Sequence, residues 1–356
     1  MIFNNISLIS KKEWNTNIPS HNIFIDYDFL LSFQNNNLNN EHIFIKDLNY
    51  QFYGHSFTLK ISKANNYTSF FTIFFNIFLR LYPIKFFYLT NSFITNVPSF
   101  FVKGTFSFDK ILKEISVLNN PLITIIPDFL FDTLNFKNQD LNFIKTPVED
   151  EMKILIDNNW SDFDCYTKSL KTKYRKRIKS VISSSNELII KVLNNEELLQ
   201  NKDLLQLLFN QVIDRSSFSG PSFNICTLID LSKAYNEVNI FGFFLKGELV
   251  AFSSEISIQE KLYSYFVGFD YYKNKKYSLY SKILCECISN AIKQKKKVVV
   301  LGRTANEFKS NFGAVPFKSS VYLKVNNKFL AYFLNPYIKK MKTKAWTQRR
   351  PFKNNL

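Results

Sequence analysis

The segment GRTANEFKSNFGAVPF, from Gly302 to Phe317, places an arginine, a glutamate and a lysine directly after the apolar strand KKVVVL. A carboxylate can take a proton from a reacting group. The planar guanidinium of arginine suits a carboxylate or a phosphate, and a lysine neutralises phosphate charge. We therefore expect this segment to form one wall of a polar site that moves a proton beside a bound anion.

Two acidic residues are candidates for the general base. Glu307 lies within this segment, and its rival Asp270 directly follows the apolar strand KLYSYFVGF. Arg303 is a candidate to hold substrate or to organise the cleft through Glu307. Arg303 and Glu307 stand four residues apart, so a purely structural ion pair on one helix is an open alternative.

Lys309 and Ser310 are candidates for contacting the phosphate or the leaving group of a donor molecule. The alternative for Lys309 is a solvated position on the outer face of a short helix, because charged side chains usually remain in water.

A second basic segment, DYYKNKKYS, precedes an amphipathic helix predicted from Leu279 to Gln294. Free amides and the dipole at a helix N-terminus attract anions. The segment therefore predicts a donor-phosphate site, and a basic surface loop is the alternative. The candidate binding residues are Lys273, Lys275, Lys276, Tyr277 and Ser278.

The net charge of +17 at pH 7 is concentrated in two clusters. Lys168–Lys179 and Pro336–Leu356 each carry seven lysines and arginines and no acidic residue. Such fields favour a polyanionic partner, for example a nucleotide cofactor, tRNA, a phosphorylated sugar carrier or an anionic membrane surface, although basic clusters are often simply solvated. Candidates for binding an anionic acceptor are Lys173, Arg175 and Arg177.

Other function classes are disfavoured by composition. The three histidines all lie in the first sixty residues and no two of the four cysteines form a CxxC motif, so we expect no metal. The N-terminus lacks a signal-peptide pattern, which favours a cytoplasmic location. Charged and polar residues interrupt the apolar run Ser69–Leu89, so it predicts a buried helix and a strand, and peripheral membrane contact stays open.

The elements of the second half follow a definite order. Ser161 and Asp164 predict a capping box at the start of a helix whose apolar stripe faces a core, and Asn195 predicts the cap of a long helix, Glu196–Arg215. Lys246–Glu248 joins two strands in a hairpin. The stripe consists of Tyr166, Leu170, Tyr174, Ile178 and Val181. The predicted strands are LIIKVL, IFGFFL, LVAFSSEI, KLYSYFVGF and KKVVVL.

The first half also mixes strands and helices, which indicates an α/β or α+β fold. Lys145–Asp157 reads as a connector with a short strand. The predicted strands are HIFIKDL, FTLKISK, IKFFYLT and PLITIIP, and the predicted helices are Tyr67–Leu81 and Phe108–Leu118.

Three motifs occur in order along the second half: W-S-x-F-x-x-Y-x-x-S-L-x-x-K-Y-R-K-R, G-F-D-Y-x-x-N-K-K-Y-S-L-Y and G-R-T-A-x-E-x-K-S-x-x-G-A-x-P. With the order of elements, they resemble a Fem-like, peptidoglycan-biosynthesis-type branch of the GNAT acyltransferases. The resemblance implies two GNAT-like lobes, each a mainly antiparallel mixed sheet flanked by helices. It divides the chain into lobes at 1–150 and 151–335 and a basic tail at 336–356.

The resemblance also implies an activity. In such a fold, two parallel strands splay apart and an acyl or aminoacyl group passes to an amine by direct attack. The donor would be an acyl-CoA, acetyl-CoA among them, or an aminoacyl-tRNA, and the amine acceptor could belong to a cell-envelope precursor. The segment Lys273–Tyr280 lacks the glycines of a GNAT pyrophosphate loop, which leaves the donor open. The alternative is a catalytically inactive module that binds a polyanion or an envelope precursor.

Overall fold

The computed structural model describes residues 1–59, 84–94, 96–104, 111–115, 120–134, 142–215 and 220–353. The chain forms two compact units. Unit 1 comprises Met1–Val148, Ser217–Phe223 and Ser319–Thr343, and unit 2 comprises Glu149–Ser216, Asn224–Lys318 and Lys344–Leu356. The predicted division into lobes at 1–150 and 151–335 and a basic tail at 336–356 stays a prediction.

The helices and strands before residue 160 mostly belong to unit 1. The strands are β1 (Ile2–Phe3), β2 (Glu41–Lys46), β3 (Tyr50–Leu59), β4 (Ile84–Leu89), β5 (Phe100–Val102), β6 (Ile123–Pro127) and β7 (Ile144–Leu155), and the helices are α1 (Lys11–Asn15), α2 (Tyr27–Asn36) and α3 (Asp128–Thr133). Residues 111–115 are also helical.

The elements after residue 160 continue the numbering. The helices are α4 (Phe163–Ser169), α5 (Thr172–Ser184), α6 (Asn195–Gln200), α7 (Lys202–Ile213), α8 (Cys226–Ala234), α9 (Tyr271–Tyr277), α10 (Leu279–Lys293), α11 (Asn306–Ser310) and α12 (Lys328–Lys340). The strands are β8 (Leu188–Val192), β9 (Val238–Leu245), β10 (Glu248–Ile258), β11 (Lys261–Phe269), β12 (Val298–Val300) and β13 (Val315–Val325).

The predictions for the first half are mostly confirmed where the structure describes them. HIFIKDL, IKFFYLT and PLITIIP contain β2, β4 and β6. The strand predicted within the connector Lys145–Asp157 is present, but it is longer than expected, because β7 has 12 residues. The first three residues of FTLKISK belong to β3, which begins earlier, at Tyr50, and its other four residues lie outside the described ranges. Helix Tyr67–Leu81 and most of Phe108–Leu118 lie outside the described residues.

Unit 1 is built on a mixed sheet in the order β1-β2-β3-β4-β6-β13, with β5 beside β3. Its strands pair antiparallel except β4 and β6, which are parallel. The strand beside β6 comes from the C-terminal part of the chain. An apolar cluster that includes Val321, Leu323 and Val325 of β13 packs against one face of α12.

Unit 2 repeats this arrangement in the order β7-β12-β11-β10-β9-β8. The pairs are again antiparallel except for one, β11 with β12. The predicted hairpin of β9 and β10 is confirmed, and Lys246 and Gly247 turn the chain with φ of 51° and 87°. Positive φ at both turn residues matches the twist of a two-residue hairpin loop.

The parallel pair of unit 2, β11 and β12, is short. The gap that the resemblance implies between these strands would begin where their pairing ends. Pairing runs over three positions, from Lys261 with Val298 to Tyr263 with Val300, whereas β11 continues to Phe269. Beyond Val300 the chain instead bonds to the other neighbour: the Leu301 amide donates to the Met152 carbonyl at 2.8 Å. The pairing of β12 with β11 therefore ends before β11 does, which is compatible with the splayed strands that the resemblance implies.

Two predicted helix starts are each displaced by one residue. Asp162, not Ser161, caps α4 by accepting the Cys165 amide at 2.7 Å, and the helix breaks before α5. Asn194, not Asn195, caps α6 in a capping box with Glu197. The predicted apolar stripe is confirmed, because its five residues lie in or against the main core of unit 2.

Candidate functional site

The chain leaves β12 through a tight turn that the side chain of Lys309 stabilises. Gly302 has a φ of 73° and Ala305 a φ of 57°, so the turn uses two left-handed residues before α11 begins. The Lys309 ammonium donates to the Leu301 carbonyl at 2.6 Å and approaches the Gly302 carbonyl at 3.4 Å. The lysine thus holds the strand end that borders the gap.

Lys309 is almost fully enclosed, with 4% of its surface exposed. The expectation of a solvated helix face was therefore wrong. Burial lowers the Lys309 pKa to about 7, while the charges of Glu149 and Glu151 act in the opposite direction. A buried ammonium lacks hydration, and its proton is therefore held less tightly.

Glu307 lies on α11 and forms an ion pair with Arg349 near the C-terminus. The Arg349 hydrogen bond, followed by its charge, lowers the pKa of the Glu307 carboxylate. Arg303 precedes α11, so it does not share one helix with Glu307 as the alternative of an i, i+4 pair assumed. The sequence had no local signal for a partner 42 residues away.

Residues 344–353, the C-terminal segment, pack onto unit 2 beside α11. The Arg349 amide donates to Ser310 Oγ at 3.1 Å, and Gln348 donates to the Ala314 carbonyl at 2.9 Å. The Phe352 ring lies 5.4 Å from Trp160 and so close to Gly313 that a Cβ there would approach it within 2.3 Å. Sequence reasoning missed this contact, although Trp346 and Phe352 within the basic tail were a usable signal.

A pocket of about 220 Å³ opens between α5, α11 and the C-terminal segment. It unites one predicted catalytic residue, Glu307, with two predicted acceptor-binding residues, and adds Arg349. Arg177 donates to Asn311 across the pocket at 2.7 Å. Arg175, the third predicted acceptor-binding residue, is not among its lining residues. The lining consists of Lys173, Tyr174, Arg177, Glu307, Asn311 and Arg349.

The rival base, Asp270, serves as the N-cap of α9. Its carboxylate accepts the amides of Tyr272 and Lys273 at 2.9 and 3.0 Å. The predicted loop DYYKNKKYS was wrong, because most of it is α9. Since two backbone amides occupy one oxygen of Asp270, its clearest contribution is to begin this helix.

The predicted donor-phosphate residues are spread over different environments. Lys273 pairs with Glu248 at 3.2 Å and with Asp270 at 3.6 Å, whereas Tyr277 is buried in an apolar cluster. Lys275 and Lys276 are exposed. Among the predicted donor-phosphate residues, only these two lysines are exposed, and both lie in the last turn of α9, shortly before α10.

The start of α10 differs from a simple anion site. Ser278 joins α9 to α10 with a φ of 51°, and its hydroxyl accepts from Ser184 at 3.0 Å. The Tyr280 amide donates to Asn274 Oδ1 at 2.9 Å. The Asn274 side chain thus already accepts from one of the amides that were predicted to bind an anion.

A second buried ionisable group contacts the C-terminal half of α10. Glu255 of β10 is 2% exposed and accepts hydrogen bonds from Asn290 at 3.1 and 3.2 Å. Burial raises the Glu255 pKa to about 8. Sequence reasoning passed over this residue, although an acid within the apolar strand LVAFSSEI is unusual.

The described residues lack two kinds of feature, a group of metal ligands and a membrane-spanning helix. Within the ranges that the structure describes, no three histidine, cysteine or acidic residues are grouped so as to hold a metal ion. In the same part of the chain, no helix has the length and hydropathy that crossing a membrane requires.

The fold has counterparts among solved structures. FemX aligns with a TM-score of 0.52 at 10% identity, covering 94% of this chain and 99% of its own. A conserved protein of unknown function from Bacteroides thetaiotaomicron aligns with a TM-score of 0.51 at 11% identity, covering 89% and 98%. No family model and no curated protein sequence matches the chain. The chain thus shares its fold with FemX, as the resemblance to Fem-like proteins predicted.

Proposed function

We propose that this protein is an N-acyltransferase that passes an acyl or aminoacyl group to an amine by direct attack. The observation that carries the proposal is the parallel pair β11 and β12, whose pairing ends after three positions while β11 continues. In the proposed reaction, two extended substrates would meet end to end beyond the paired positions. Because neither an activated nucleophile nor a metal is needed, positioning can supply most of the rate enhancement.

The reaction balances without a further reactant. The acceptor nitrogen bonds to the acyl carbon, and the ester or thioester bond of the donor breaks. The leaving hydroxyl or thiol gains a proton, and the amine loses one to a base. Lys309 supports this step indirectly, because it holds the carbonyl groups of Leu301 and Gly302 at the border of the gap.

Glu307 is the proposed base, and Arg349 is its regulator. A carboxylate with a lowered pKa is a weak base, so proton transfer to Glu307 is favoured once Arg349 turns to another anion. Lys173, Arg177 and Arg349 line the same pocket, which supports binding of an acceptor phosphate there. A phosphate-linked cell-envelope precursor is the acceptor class that this pocket suits.

Aminoacyl-tRNA is the proposed donor. The occupied Tyr280 amide and the absence of glycine from Lys273–Tyr280 argue against a pyrophosphate grip of the usual acyl-CoA type. The two basic clusters favour a long polyanion. An acyl-CoA stays the second donor, since Lys275 and Lys276 are exposed ahead of α10.

One observation favours a second function, a catalytically inactive module that binds a polyanion or envelope precursor. The Glu307 carboxylate is already paired with Arg349, and Ser310 is bonded to the same segment. A protein that had lost its reaction could keep this pairing and its basic pocket.

Thermal unfolding with CoA, acetyl-CoA and longer acyl-CoAs at low salt is the first experiment. A ligand that binds the native state raises the melting temperature. We expect none of these ligands to raise the melting temperature. In a second assay, we expect transfer of a labelled amino acid from charged tRNA to an amine. A rise that Lys275→Glu/Lys276→Glu abolishes, but Lys202→Glu/Lys233→Glu retains, would instead establish a CoA donor. If no ligand shifts the melting temperature and no amino acid is transferred, the inactive module is favoured.

Substitutions then separate the proposed roles. With an active assay, Glu307→Gln should lower kcat by about 100-fold or more, the contribution typical of general-base catalysis. Asp270→Asn, which keeps a capping side chain, should retain most activity. A normal kcat for Glu307→Gln would end its assignment as the base, and full activity of Arg303→Lys would end the idea that Arg303 clamps substrate.

A further inference from the structure

Helix α12 presents three large aromatic side chains to solvent. Phe329, Tyr332 and Phe333 are 73%, 78% and 51% exposed. Their rings touch, with centroids 5.2 Å apart for Phe329 and Phe333 and 5.3 Å apart for Tyr332 and Phe333. Tyr337 and Met341 extend the same exposed apolar run. Single exposed apolar residues are ordinary, but a contiguous cluster of this kind marks an interaction surface.

The opposite face of α12 already serves the fold. Leu330, Leu334 and Ile338 recur every four residues, as one face of a helix requires, and they lie in or against the apolar cluster of unit 1. Helix formation and packing therefore do not need the aromatic face. The three adjacent rings of this face instead remain exposed to solvent.

Lysines surround this aromatic face. Lys328 opens α12, Lys339 and Lys340 end it, and Lys342 follows shortly after, all of them exposed. No acidic residue occurs from Lys328 to the end of the chain. The partner of this surface must therefore accept apolar rings and carry negative charge.

We propose that the aromatic face of α12 docks on an anionic lipid bilayer. The surface is defined by Phe329, Tyr332 and Phe333 with the four flanking lysines. The rings would enter the boundary between headgroups and acyl chains, where aromatic side chains are favourable, and the lysines would face lipid phosphates. A protein partner fits less well, because lysine is depleted from protein interfaces.

This inference stands apart from the proposed reaction. It uses only residues of unit 1, and a protein without transferase activity would still bind lipid through them. Its consequence is that the chain works at a membrane surface.

Co-flotation with lipid vesicles tests the proposal on the full-length chain. One set of vesicles is phosphatidylcholine alone, and the other contains about one-third phosphatidylglycerol. We expect binding to the anionic vesicles only, and about tenfold weaker partitioning for Phe329→Ser/Tyr332→Ser/Phe333→Ser. Lys339→Gln/Lys340→Gln should also weaken binding by about tenfold or more, with less dependence on salt.

The matched control is Leu38→Ser/Leu48→Ser, which removes two other highly exposed apolar side chains of unit 1. It should bind vesicles like the unmodified chain, and all variants should melt at similar temperatures. To exclude loss through misfolding, Phe333→Trp should show a blue-shifted emission that brominated lipid quenches. Absent vesicle binding, equal binding by the serine variant, or a dimer that the serine variant dissolves would each overturn the proposal.

Discussion

Two buried ionisable side chains of unit 2, Lys309 and Glu255, have pKa values that burial moves close to neutrality. Burial lowers the pKa of Lys309 and raises that of Glu255, so both favour the neutral state near neutral pH. Their hydrogen bonds to carbonyls and to an amide partly offset the loss of water. Each therefore couples folding to pH, and the two couplings have opposite signs.

Lys309→Met should flatten the rise of stability with alkaline pH. Below about pH 7 the lysine is charged in both states, and the full cost of burying the charge is present. Above that pH the folded form is neutral while the unfolded form still binds a proton, so the free energy of unfolding rises. Between pH 7 and pH 10, the variant should therefore lack a rise in the free energy of unfolding of a few kcal/mol at most.

Urea unfolding at a series of pH values measures this difference. The control is Lys202→Met, which removes an exposed lysine of the same unit. Parallel curves for the unmodified chain and the Lys309 variant would show that Lys309 keeps an ordinary pKa in the folded protein.

Glu255→Gln should show the reverse dependence. From its usual range up to about pH 8, folded Glu255 keeps a proton that the unfolded chain has released, so stability falls as pH rises. The glutamine variant should therefore gain melting temperature relative to the unmodified chain between pH 5 and pH 8. Exposed Glu260→Gln serves as control, and a constant difference across this range would contradict the prediction.

At the scale of elements, the C-terminal segment completes unit 2. It bonds to both ends of the break between α4 and α5: the Lys171 amide donates to the Pro351 carbonyl at 2.8 Å, and the Lys353 amide donates to the Ser169 carbonyl at 3.0 Å. Leu170, between them, forms a bridge with Phe352. The segment thus replaces hydrogen bonds that an unbroken helix would have made itself.

Phe352→Ala should release this segment. The ring packs against Trp160 and Tyr166, so its loss should lower the free energy of unfolding by about 2 kcal/mol, less than for a fully buried phenylalanine. Trypsin should then cleave faster after Lys344 and Arg349, as mass spectrometry would reveal. Tyr272→Ala, at an exposed site, is the control. Unchanged cleavage would mean that the polar contacts alone hold the segment.

At the scale of the whole molecule, charge dominates. A net charge of +17 in a chain of 356 residues raises the local concentration of anionic partners and makes association sensitive to salt. Part of the Lys168–Lys179 cluster reaches the pocket beside α11, through Lys173 and Arg177. Long-range attraction and a specific site therefore share residues.

Binding of tRNA should weaken steeply with salt, and the slope should depend on this cluster. Lys173→Gln/Arg175→Gln/Arg177→Gln should reduce the slope of log K against log salt by about 2, since each phosphate contact contributes about 0.7 to 0.9. Titration of labelled tRNA between low and moderate salt measures it. Lys202→Gln/Lys233→Gln/Lys293→Gln removes as much charge elsewhere. If both triple variants change the slope equally, the cluster has no particular role.

Local sequence determined much of the fold. Apolar runs bounded by turn residues predicted β2, β4, β6 and β8 to β12, because a strand's burial pattern and its turns are encoded within a few residues. The short glycine turn predicted the hairpin of β9 and β10. Chain order, through the resemblance to a known fold, then implied the parallel pair β11 and β12. Helix caps were displaced by one residue, since adjacent polar residues compete for the same amides.

Tertiary structure decided the rest, above all the site. The pairing of Glu307 with Arg349, the burial of Lys309 and the pairing of β13 with β6 join positions far apart in the chain. No local period records such contacts, because they depend on how whole elements pack. Residue types could therefore nominate Glu307 and Lys309, but only packing decided that one carboxylate meets a guanidinium and that one ammonium leaves water.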